Sequence, residues 1–163
     1  MQPKEAEKEF EKLIAEHELL IHKVCRMYAY TGADRSDLFQ EIVMQLWQSF
    51  QKFRGESAFS TWMYRVAINT SISNLRRRKD FITSYEPEAL PADMPDTTSA
   101  EQDQRMQQMY AAIAKLNDIE KAVVMLYMED RSYEEMQSVL GIPAGTLRVK
   151  MNRIKEKLRQ LTK

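Results

Sequence analysis

The stretch Ser132-Tyr133-Glu134-Glu135-Met136-Gln137-Ser138-Val139-Leu140-Gly141-Ile142-Pro143-Ala144-Gly145-Thr146-Leu147-Arg148-Val149-Lys150-Met151-Asn152-Arg153 reads as two helices joined by a tight turn. Ser132 is a good N-cap, and Glu135 stands at the capping-box spacing. Gly141 permits the left-handed backbone that ends a helix, and Pro143 discourages the first helix from running through the turn. The pattern is helix-turn-helix. On the second helix Leu147, Met151, Ile154, Leu158 and Leu161 form an apolar stripe. That stripe pushes Arg148, Lys150, Asn152, Lys155 and Arg159 toward other faces. A helix docked by one side with outward cations can enter a major groove, so Thr146 to Arg153 are placed to meet base edges and phosphates. Arg suits guanine and Asn suits adenine, while Lys more often serves phosphate.

Working outward, Met106, Met109, Ile113 and Leu116 predict a helix ended by Asn117-Asp118, and Ile119 to Tyr127 predict another. Before them, Phe81 to Ser99 carries Pro87, Pro91 and Pro95, acidic residues and no apolar period, which describes a flexible tether. Upstream, Phe10, Leu13, Ile14, His17, Leu20, Ile21, Val24 and Met27 recur at three- and four-residue steps and predict one amphipathic helix from about Glu5 to Tyr30. Thr31-Gly32-Ala33 breaks it. Asp34 or Ser36 can cap the next segment, whose wide apolar girth (Leu38, Phe39, Ile42, Val43, Leu46, Trp47, Phe50) predicts a central place in a bundle. After a turn at Arg54-Gly55-Glu56-Ser57, Ser60 or Thr61 can cap a helix that runs through Trp62, Arg65, Asn69 and Leu75 into Arg76-Arg77-Arg78-Lys79. The expected fold is all-α: two small helical modules, residues 1–80 and 101–163, joined by an acidic linker at 81–100.

The formal charge is zero, from 24 Lys plus Arg against 24 Asp plus Glu, yet its distribution is uneven. Gly145 to Lys163 holds seven cations against Glu156 alone, whereas Asp80 to Asp103 holds seven acids and no Lys or Arg. Basic blocks are cancelled by an acidic middle. Cys25 is the only cysteine, so an intramolecular disulfide is excluded. A cytoplasmic protein without membrane insertion is expected, since the N-terminus lacks a secretory apolar stretch and no segment approaches a membrane span. His17, His22 and Cys25 are too few and too badly spaced to make a metal site, so none is expected. The eleven methionines sit mostly at apolar helical positions, which predicts core packing.

A specific resemblance then emerges. Asp37-Leu38-Phe39-Gln40-Glu41 with Trp47, followed by Phe53-Arg54-Gly55-Glu56-Ser57-Ala58-Phe59-Ser60-Thr61-Trp62-Met63-Tyr64-Arg65-Val66-Ala67-Ile68-Asn69, resembles region two of the extracytoplasmic-function sigma factors of the sigma-70 family. Leu116 to Leu158 resembles their region four. The resemblance implies a non-enzymatic subunit that binds core RNA polymerase and directs promoter-specific initiation. Asp37, Gln40 and Glu41 are then expected to contact the polymerase. Phe53, Ser57, Ala58, Phe59, Thr61, Arg65, Asn69, Arg76, Arg77, Arg78 and Lys79 are expected at the melted minus-ten strand, with Asn69 holding an extruded base. Thr146, Arg148, Val149, Lys150, Asn152, Arg153 and Lys155 are expected at duplex minus-thirty-five DNA. An anti-sigma factor is an expected further partner, and no cofactor is implied.

Gln137 departs from the family pattern, standing where a small residue usually packs, and it is expected to alter the angle between the two helices. Two rivals remain weaker. A one-component helix-turn-helix regulator would share only the last third of the chain, and a small nuclease would want clustered carboxylates or histidines.

Overall fold

The computed structural model describes residues 3–53, 55, 57–82 and 100–162. Among the described residues all regular structure is helical, in the order α1 (Pro3–Glu16), α2 (Glu18–Tyr28), α3 (Gly32–Phe50), α4 (Phe59–Ile82), α5 (Ala100–Ala114), α6 (Asp118–Met128), α7 (Tyr133–Leu140) and α8 (Ala144–Leu161). The chain divides into two compact units, Met1–Pro91 and Ala92–Lys163. Most of the expected linker, residues 83–99, lies outside the described residues, as do Arg54 and Glu56 of the expected turn.

In the first unit the helix expected from Glu5 to Tyr30 is two helices, parted at His17. His17 leaves helical geometry, with φ −116° and ψ 15°. Its backbone N–H is shared between the Leu13 and Ile14 carbonyls, and its ring Nδ1 reaches the Leu13 carbonyl at 2.9 Å. The ring also packs on Phe59, centroids 5.1 Å apart. A side chain bonded to the turn before it offers the backbone an alternative to the regular ladder, and helices bend at such points. Sequence periodicity runs through the break because the apolar face continues on both sides of it.

Thr31, rather than Asp34 or Ser36, caps α3: its Oγ1 accepts from the Asp34 N–H at 3.0 Å. Gly32 and Ala33 therefore open the helix instead of separating two. Leu38, Ile42 and Leu46 of α3 bury a single stripe against α2 and α4, while Met44 is exposed and Trp47 remains 37% exposed. The wide apolar girth does give α3 neighbours on several sides, since it packs against α1, α2 and α4, with Trp47 and Phe50 meeting buried Phe10 of α1. Helix α4 starts one residue before the expected caps, with the Trp62 N–H bonded to the Ala58 carbonyl at 3.1 Å. Gly55, at φ +74°, makes the turn before it with a backbone that side-chain-bearing residues rarely adopt.

In the second unit Asn117 and Glu120 form a full capping box at α6: Asn117 Oδ1 accepts from the Glu120 N–H at 2.8 Å, and Glu120 Oε1 accepts from the Asn117 N–H at 3.0 Å. The core gathers Ile113, Leu116, Ala122 to Leu126, Met136, Val139, Leu147, Met151 and Ile154. Helix α8 packs against α5, α6 and α7. The expected α8 stripe is buried at Leu147, Met151 and Ile154 but fades at its end, where Leu161 is exposed. The methionine expectation holds for Met27, Met63, Met125, Met136 and Met151; Met44, Met106, Met109 and Met128 are exposed instead.

Candidate nucleic-acid interface

The helix-turn-helix is built from local bonds that fix both helix ends. Ser132 Oγ accepts from the Glu135 N–H at 3.1 Å and starts α7. Glu135 in turn takes Arg131 Nη1 at 3.1 Å, and this hydrogen bond is the main cause holding its carboxyl below the usual range. Gly141 ends α7 in the left-handed region at φ 72°, donating to the Gln137 carbonyl at 2.8 Å. Pro143, the N-cap residue of α8, makes no side-chain cap. The Gln137 side chain supplies one instead: its Oε1 accepts from the Ala144 N–H at 3.1 Å, seven residues away. Gln137 is exposed, so it does not wedge the helices apart from within but stitches α7 to the head of α8.

Helix α8 thus presents a patterned surface. Thr146, Val149, Asn152 and Arg153 are exposed opposite the Leu147–Met151–Ile154 stripe. Arg148 lies to one flank, its guanidinium carbon 5.3 Å from the Tyr133 ring centroid and its Nη2 3.6 Å from Glu134 Oε1. Lys155 is half-buried, its ammonium 4.7 Å from the Tyr127 ring centroid, and Lys150 is also half-buried. Lys157 Nζ stands 3.1 Å from both oxygens of Glu120, so the carboxylate that completes the α6 cap also holds the far end of α8.

In the first unit Asp37 and Gln40 are exposed on α3, and Glu41 is half-buried with its Oε1 3.7 Å from Arg77 Nη2. These positions, three and four residues apart, share one face. On α4, Arg65, Asn69 and Arg76 likewise fall on one face, with Asn69 and Arg76 exposed and Arg65 half-buried. Asn69 is therefore in solvent, although its neighbour Ile68 is buried. The side chains of Arg78 and Lys79 lie outside the described ones.

The loop before α4 rests on an aromatic cluster. Phe53 meets Trp62 at 5.0 Å and Phe59 at 5.6 Å, Phe59 meets Trp62 at 5.3 Å, and Phe50 meets Trp62 at 6.4 Å. Trp62 and Thr61 are buried, Phe53, Ser57 and Phe59 are half-buried, and Ala58 is exposed. The aromatics pack against one another beneath the loop, and Ala58, just before Phe59, is accessible. Several contributors were not singled out from sequence as parts of the site: Gln137 as a cap, Tyr133 and Glu134 beside Arg148, Tyr127 beneath Lys155, and His17 against Phe59. Only the departure at Gln137 carried a signal.

Residues 13–81 match Sigma-70 region 2, and residues 106–158 match Sigma-70, region 4. The RNA polymerase sigma-H factor of Pseudomonas aeruginosa is 28% identical over 159 residues, covering 90% of this chain and 82% of the relative. The ECF RNA polymerase sigma-E factor of Escherichia coli strain K12 is 26% identical over 163 residues, covering 92% and 84% respectively. Among solved structures, the sigma factor RpoE in complex with the anti-sigma factor NepR from Bartonella quintana matches with a TM-score of 0.78 at 18% identity, over 94% of this chain and 96% of that one. CnrH in complex with the cytosolic domain of CnrY matches with a TM-score of 0.66 at 18% identity, over 95% and 88%. With both regions matched in chain order, and the fold shared, the chain belongs to the extracytoplasmic-function group of the sigma-70 family.

Proposed function

We propose that this ECF sigma factor divides promoter recognition between its two units, with the residue roles as follows. Residues 1–80 bind core polymerase through Asp37, Gln40 and Glu41 and capture the opened minus-ten strand on the Arg65–Asn69–Arg76 face and the loop bearing Ala58. Residues 101–163 lay α8 on duplex minus-thirty-five DNA. The observation that carries this reading is the surface of α8, where exposed Thr146, Arg148, Val149, Asn152 and Arg153 stand over a buried apolar stripe. Arg and Asn can read base edges, and flanking lysines suit phosphates.

For region two, opened strands are captured by stacking surfaces and polar groups that read unstacked bases. Asn69 offers an amide in solvent on the same helix as Trp62, and Arg76 and Arg77 offer charge to the backbone. Work of this kind is binding throughout, with no covalent step, and its place is the cytoplasm, where polymerase acts. Among the described residues no helix is long and apolar enough to cross a membrane. The RpoE relative was solved with an anti-sigma factor, and on that likeness an anti-sigma protein is proposed as the regulator of this chain.

Reconstituted transcription with core polymerase and a promoter library tests the whole reading. Initiation from a defined promoter subset that requires this chain is the expected result. DNA binding without association to core polymerase would defeat it.

A further inference from the structure

Arg148 does not stand alone on the recognition surface. Tyr133 and Glu134, consecutive residues in the first turn of α7, both reach it, one with a ring face and the other with a carboxylate oxygen. Gln137, one turn further along α7, fixes the first N–H of α8. Helix α7 therefore sets both the position of the α8 head and the direction of its first arginine. A guanidinium is planar and carries donors along more than one edge. With one edge turned to Glu134 and its face on Tyr133, another edge remains to meet a base.

We infer that Tyr133 and Glu134 are positioning residues that buttress Arg148, so that it discriminates guanine at one base pair of the upstream element instead of swinging to any nearby phosphate. The inference rests on the placement of α8 in the minus-thirty-five groove. An unsupported arginine has many rotamers and satisfies itself on the backbone at little loss. A buttressed one starts near the geometry of the bidentate contact with guanine O6 and N7. Glu134 also repels phosphate, which makes the backbone a poorer alternative partner. Both side chains of the ion pair are largely exposed, at 57% for Arg148 and 71% for Glu134, so the expected effect is on selectivity and is modest in size.

The test uses holoenzyme reconstituted from the full chain and core polymerase, selecting from duplexes randomised across the upstream element. Wild type, R148A, E134Q and Y133A are compared. R148A is expected to erase the preference at one position. E134Q is expected to lower guanine preference at that same position by about two- to fivefold, the range an exposed ion pair supports. It should leave the other positions unchanged and should not weaken binding to a non-promoter duplex. Y133A, which keeps the carboxylate and removes the ring, should lower the same preference. Circular dichroism melts check that α7 survives each change.

An E134Q profile identical to wild type overturns the inference, and so does a loss of preference spread over several positions. A preference untouched by R148A overturns it as well, because Arg148 would then read no base. If wild-type holoenzyme enriches no sequence at all, the placement of α8 on upstream DNA fails and this inference falls with it, an outcome distinct from failure of the variants alone.

Discussion

Cys25 is sealed in the core of the first unit, and burial pushes its thiol up to about 11, with Arg35 opposing the shift only in part. A thiol raised in the folded state adds stability that is complete below its ordinary value of about 8.5 and is lost as pH climbs from there toward the folded value. Labelling with iodoacetamide at pH 8 should therefore be slow in the native protein and keep pace with unfolding, which timed mass spectrometry can follow. Asn69 gives the opposite case. Being exposed, Asn69→Ala should change stability by less than about 0.5 kcal/mol in thermal melts, while permanganate footprinting of a promoter shows reduced strand opening. Gln137→Ala should remove the side-chain cap at the head of α8, at about 0.5–2 kcal/mol, seen as faster amide exchange at Ala144 and its neighbours. Sequence marked Gln137 as a departure yet could not show its use. A cap spanning seven residues depends on the turn folding back, and no local pattern encodes that.

Among the elements, α4 carries the region-two surface on a buried base. Trp62 touches Phe50, Phe53 and Phe59, so Trp62→Ala should cost about 3–5 kcal/mol in the first unit and should loosen the loop before α4, as denaturant titration and amide exchange would record. Helix α7 depends instead on polar bonds. Its Glu135 carboxyl lies below the ordinary range because Arg131 donates to it, so its contribution is present above about pH 4.3 and is lost as pH falls through the folded value. The Glu135 side chain is 45% exposed, which limits that contribution to a few tenths of a kcal/mol at most. Glu135→Gln should flatten the acid side of the stability curve slightly, measured by melts between pH 3 and 6. The helix-turn-helix was the most legible part of the chain, since Ser132, Gly141 and Pro143 each act on their own neighbourhood. The break at His17 was not, because it arises from a ring bonded backward to Leu13 and packed on Phe59 of a distant helix. The central place of α3 was legible from its apolar girth, and it packs against α1, α2 and α4.

For the whole molecule, a net charge of zero conceals separate fields. With Arg148 and Arg153 exposed on α8, the chain should bind heparin at low salt despite its neutrality, and substituting Arg148, Lys150 and Arg153 together should lower the salt at which it elutes from a heparin column. The order of the two units and the helical class were readable from periodicity, while the division of cations was not. Lys157 and Lys155 belong to the same basic run as Arg153, yet Lys157 is bound to Glu120 and Lys155 lies over Tyr127. Only the folded second unit brings those partners to α8. The same arrangement gives α8 an anchor near each end, Gln137 at its head and Glu120 toward its tail. A rod propped at two points has little liberty to roll or tilt. Laid on DNA, it leaves the adjustment to the double helix, so base steps that bend readily would be favoured even where no side chain reaches them.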